Sequence, residues 1–138
     1  MFGTQRNRAA TYASVQVETG VGAADPHKLV TMLFDGAILT LSKARAEMQA
    51  GHIEAKGNSL SKAIEIINAG LKASLDQSAG GDLAGRLAAL YDYMCERLLY
   101  ANLHDNTTAI DEVSGLLTGL REAWLSISPN KAEAATTV

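Results

Sequence analysis

Histidine, cysteine and carboxylate side chains carry most protein chemistry, and this chain has few places where they could act together. It contains three histidines and one cysteine. A di-iron site in a helical protein needs Glu-x-x-His pairs facing inward. The residues three before His27, His52 and His104 are Ala24, Gln49 and Ala101, so that motif is absent. Cys95 has no histidine at helical spacing, and reads as a buried or groove-lining thiol rather than a nucleophile. GVGAAD, residues 20–25, has two glycines of a dinucleotide fingerprint but lacks the third glycine and a convincing strand before it. Asn106-Thr107-Thr108 spells a glycosylation sequon, but the asparagine reads as a turn or cap residue. These residues predict no catalytic group, no metal and no cofactor.

The elements that carry them are helical. With 138 residues, 47% of them hydrophobic, the chain suits one domain with a substantial core. A net charge of −3 argues against a nucleic-acid-binding surface. No apolar run is long enough to span a membrane, the N-terminus lacks the apolar stretch of a signal peptide, and one cysteine allows no internal disulfide. The expected setting is the cytoplasm.

Residues 1–24 are polar and then rich in small residues, and predict a mobile arm, with TYASVQV as a short helix or an extended piece. Asp25 and Pro26 mark a helix start, as N-cap and first helical residue. Val30, Leu33, Ala37, Leu41, Ala44 and Met48 follow at steps of three and four, and Gly51 ends the helix. A second helix runs from about Ile53 to Leu75, with Leu60, Ile64, Ile67, Leu71 and Leu75 as its stripe. DQSAGGD breaks it. A third runs from about Asp82 to Leu103. After HDNT, a fourth capped by Asn106 or Thr107 carries Ile110, Val113, Leu117, Leu120, Trp124 and Ile127, and stops before Pro129. The tail from residue 129 has too little apolar content to pack. The fold class is all-α: an antiparallel up-down four-helix bundle over 25–128, flanked by arm and tail.

The bundle has more apolar surface than one core uses. On the third helix, Leu83, Leu87, Leu90, Met94, Leu98 and Ala101 form one stripe. Ala84, Ala88, Tyr91, Cys95 and Leu99 form a second beside it, with Asp92, Glu96 and Arg97 opposite. Either this helix touches two neighbours, or the second stripe is a groove for a partner. Phe34 and Ile38 beside the first helix's stripe, and Ile66 outside the second's, add to the surplus. Gly115, Gly119 and Ala123 align on the outside of the fourth helix, where another backbone could approach. The groove residues predicted from the helical wheel are Phe34, Ile38, Ile66, Tyr91, Cys95 and Leu99.

DPHKLVTMLFDGAI, KGNSLSKAIEIINAGL, GGDLAGRLAALYDYM and EVSGLLTGLREAW occur in that order. Together they resemble the flagellin-specific export chaperones, the FliS family, from about Tyr12 to Pro129. Cys95 and the glycine pair of the fourth helix depart from the family pattern. The resemblance implies a non-enzymatic cytoplasmic chaperone. Its client would be the C-terminal segment of flagellin, disordered until it folds around the chaperone. Binding would prevent premature polymerisation, and the client would pass to the flagellar export gate. By the same resemblance the N-terminal segment covers part of the empty site, and Tyr12 matches its tyrosine, either as an anchor for the arm or as a contact for the gate. Two alternatives stand beside this: a dimerising structural or adaptor bundle with another client, in which the surplus face meets a second copy, and a bundle enzyme.

Overall fold

The computed structural model describes residues 25–75 and 77–127; the predicted arm with Tyr12 and the predicted tail lie outside them. Four helices follow one another: α1 (Pro26–Gln49), α2 (Ile53–Glu65), α3 (Gln77–His104) and α4 (Thr107–Ser126). α2 continues through a π-helical segment, Ile66–Leu71, and a 3-10 turn, Lys72–Ser74. No strand occurs among the described residues.

Local chemistry sets the helix ends. The Asp25 carboxylate accepts from the Lys28 N–H, with Pro26 next in sequence. At the other end of α1, Gly51 takes a positive φ of 77°. Its N–H reaches the Met48 carbonyl and that of His52 reaches Glu47, which satisfies two terminal carbonyls. Asp105 plays the same part after α3 at φ 50°, with the Asn106 N–H on the Ala101 carbonyl. The Asn106 side chain then caps α4 by accepting from the Ala109 N–H.

Cross-helix pairs fix the directions. Arg45 meets Asp111 and Arg121 meets Asp35, so α1 and α4 run antiparallel. Lys56 meets Asp105 and Lys72 meets Asp92, so α2 and α3 do too. α1 packs on α2 and α4, and α3 closes the ring against the same two helices. The up-down bundle is therefore as expected.

The predicted stripe of α1 is buried throughout, and Phe34 joins it rather than standing beside it. On α4, Ile110, Val113 and Leu117 are buried, while Leu120, Trp124 and Ile127 are only partly so. The other two helices depart from the wheel. In α2, Ile66, Ile67, Ala69, Gly70 and Leu71 are all buried, whereas Ile64 and Leu75 are partly exposed. All five lie in the π segment, Ile66–Leu71, whose turn is wider than the one the wheel assumes, so the buried face there takes in Ile66 beside Ile67 and Leu71. A Cβ on Gly70 would stand 3.0 Å from Leu33, so glycine permits the close contact between this segment and α1.

In α3, Ala84, Ala88, Tyr91, Met94, Leu98 and Ala101 are buried, while Leu83 is exposed and Leu87 and Leu90 are half-buried. The upper half of the expected core stripe and its expected neighbour have changed places. The buried seam advances by 4, 3, 3, 4 and 3 residues, shorter on average than the 3.6 of a straight helix. A bundle helix wound left-handedly around its neighbours carries such a drifting seam. Gly81, at φ 60° and ψ −139°, breaks α3 near its start, so the regular helix begins where DQSAGGD predicted.

Candidate functional site

The lower end of the bundle, where the α1–α2 and α3–α4 connections lie, is closed by a buried polar contact. Lys56 is 5% exposed. Its ammonium donates to the Asp105 carboxylate at 2.6 Å and to the Asn102 carbonyl at 3.1 Å. Ser59, also buried, donates to Glu47 at 2.6 Å.

Among the described residues, the upper end is left open. Val30 and Phe34 of α1, Leu75 after α2, Leu83, Leu87 and Tyr91 of α3, and Leu120 and Trp124 of α4 wall an apolar recess of about 240 Å³. Ser74, Ala123 and Ile127 complete its lining. Its α1 and α4 walls are held by a reciprocal clasp. The Trp124 indole donates to the His27 carbonyl at 2.9 Å, the His27 ring nitrogen lies 2.9 Å from the Trp124 carbonyl, and the two rings stack at 4.8 Å. This recess was not legible in the stripes, because its wall combines residues from the upper ends of all four helical segments.

The predicted groove residues divide into three groups. Phe34 and Tyr91 are buried and meet at the recess. Ile66 is buried in the core, near Gly36. Ile38 and Cys95 are part-buried against the core. The Cys95 thiol lies 3.9 Å from the Ile64 carbonyl at the α2–α3 seam, and burial, with Asp92 nearby, pushes its pKa up to about 11. Such a thiol stays protonated, which suits packing and not nucleophilic attack. Leu99 is 60% exposed. Leu103, one turn further on the same helix, is 78% exposed, so the lower half of α3 presents an apolar edge to solvent. The structure thus separates the predicted groove into a recess at the top and an apolar edge below.

Beside that edge, the Tyr93 hydroxyl and Arg97 both donate to Glu112, and the Arg97 guanidinium sits 4.7 Å over the Tyr100 ring. The hydrogen bond from Tyr93, with Arg97 next, holds the Glu112 carboxyl below its ordinary pKa. Among the described residues, no three His, Cys, Asp or Glu side chains gather as metal ligands, and no helix is long and apolar enough to cross a membrane.

A family model described as "Flagellar protein FliS" matches residues 8–131. The chain belongs to the FliS family. A relative from Salmonella typhimurium named flagellar secretion chaperone FliS is 55% identical, over 86% of this chain and 87% of its own. The Pseudomonas aeruginosa secretion chaperone FliSB is 43% identical over 85% and 92%, and the Bacillus subtilis FliS is 33% identical over 78% of each chain. The residues matched by the family model include all four helices, so the recess and the α3 edge lie within the family domain. FliS is a chaperone family and not an enzyme family, and this agrees with the reading of the residues.

Proposed function

We propose that this FliS chain is a cytoplasmic export chaperone that binds the C-terminal segment of flagellin, keeps it from polymerising early and passes it to the flagellar export gate. The observation that carries the reading is the 55% identity to a flagellar secretion chaperone across nearly the whole domain. The surface is consistent with such a client. A segment that folds on binding loses conformational entropy and needs a long apolar track to offset it. Among the described residues, Leu99 and Leu103 along α3, Leu39 on α1 and the recess at the top of the bundle are open apolar surface of that kind. Helix-in-groove docking is the fitting mode. The arm with Tyr12 would cover part of this track when the client is absent.

Leu99→Asp tests the reading. Calorimetric titration with the C-terminal segment of flagellin from the same organism should show one-to-one binding with a large negative heat-capacity change for the native chain. The variant should lose that binding and keep its helicity by circular dichroism, because Leu99 is exposed. Unchanged affinity would remove Leu99 from the track. A native chain that ignores the segment and sediments as a permanent dimer would favour self-association as the use of these faces.

A further inference from the structure

Three residues lining the recess carry polar side-chain atoms: Ser74, Tyr91 and Trp124. Two of them are satisfied. The Ser74 hydroxyl donates to the Leu71 carbonyl at 2.7 Å, and the Trp124 indole donates to His27. Tyr91 is different. It is 4% exposed, and no described residue stands within hydrogen-bond distance of its hydroxyl. Burial alone pushes its pKa up to about 12, so the group remains a neutral donor at ordinary pH. Buried polar groups without partners are rare in folded proteins, and each one asks what satisfies it.

The size of the recess narrows the answer. An engineered apolar cavity of about 150 Å³ holds a benzene molecule. At about 240 Å³, this one has room for two apolar side chains. The walls are apolar from all four sides, so a charged occupant would lose its hydration without compensation. What fits is a turn of helix that presents two large apolar side chains at i and i+3 or i+4 with an oxygen acceptor beside them.

We infer that the recess is a subsite for one such turn of the client, and that the Tyr91 hydroxyl selects its register by donating to an uncharged oxygen acceptor. That acceptor is an Asn, Gln, Ser or Thr side-chain oxygen, or a free carbonyl at the end of the client helix. The assignment rests on the chaperone reading and adds a specificity-determining residue to it. Apolar contacts alone tolerate a slipped register, whereas a buried donor left unsatisfied penalises every register but one.

Tyr91→Phe tests this directly, since it removes the hydroxyl and keeps the ring. Affinity for the flagellin C-terminal segment should fall roughly tenfold, about 1.4 kcal/mol, while the melting temperature of the free chain is unchanged or higher. Replacing each candidate acceptor of the segment in turn should identify one position at which Tyr91→Phe has no further effect. Ala123→Trp, at the exposed rim of the recess, should block the subsite without disturbing the core.

Native affinity in Tyr91→Phe would overturn the inference while leaving the chaperone reading intact. So would a lower melting temperature with unchanged binding, because the acceptor would then lie within this chain. No binding by the native chain would overturn both.

Discussion

The two ends of the bundle use the same materials to opposite ends. At the lower end, Leu41, Ala44, Leu60, Met94, Leu98, Ile110, Val113 and Leu117 are buried, and Lys56 ties α2 to the turn after α3. At the upper end the same four stripes continue, but Leu75, Leu87, Leu120 and Trp124 stay part-exposed around a recess. The lesson is that an amphipathic stripe specifies a face and not a filled core. Whether the face is used within the bundle depends on how closely the helices converge there.

If the lower end is the stability core and the upper end the adaptable one, truncations should separate them. Leu98→Ala should cost about 3 kcal/mol in chemical denaturation, since it leaves a cavity among fully buried neighbours. Leu87→Ala, on the wall of the recess, should cost less, about 1–2 kcal/mol, because the side chain is only partly buried. Equal losses would break the comparison. Next in size is Lys56→Ala, expected to cost about 2 kcal/mol through the lost charge-assisted bonds to Asp105 and Asn102. Disrupting the upper clasp by Trp124→Phe should cost less, about 1 kcal/mol, and be visible in the same unfolding curves.

The pH dependence sharpens the same contrast. Both Cys95 and Tyr91 have pKa values raised by burial, from ordinary values of 9.0 and 10.0 to about 11 and about 12. The unfolded chain releases these protons first, so stability should decline as pH rises from about 9 through 12. Cys95→Ser and Tyr91→Phe should each flatten that decline in denaturation curves taken across the range. The smallest effects belong to glycine. A Cβ on Gly115 or Gly119 meets nothing within 4 Å, so alanine there should raise stability by about 0.5–1 kcal/mol. Alanine at Gly70 meets Leu33 and should lower it.

Much of this fold can be read from residues whose effect is local. Asp25-Pro26, Gly51 and Asn106 set helix ends through their own backbone and side-chain hydrogen bonds, and the helices start and stop there. The stripes of α1 and α4 follow a regular spacing, and their central residues are buried as the spacing requires. Ile66 and the Leu83–Leu90 stripe were misplaced for related reasons. A wheel assumes a constant turn, whereas α2 widens into a π segment and the α3 seam drifts as the helix winds around its neighbours. The candidate site was legible only in part. Leu99 has the exposure expected of a groove residue, and Phe34 and Tyr91 reach the recess, but nothing in the spacing marks His27 as the partner of Trp124. That contact joins residues 97 apart, and no local pattern encodes it.

By itself, the amino-acid sequence determined four amphipathic helices, their caps, their up-down order and the absence of familiar catalytic motifs. These follow from interactions within a few residues and from the number of apolar faces that must be covered. Only the tertiary structure decided which apolar residues are core and which remain open. That choice depends on helix separation, on the winding of α3 and on the close approach at Gly70. It also left Tyr91, a residue that lines the apolar recess, buried with no hydrogen-bond partner among the described residues, because a partner is a matter of position and not of residue type.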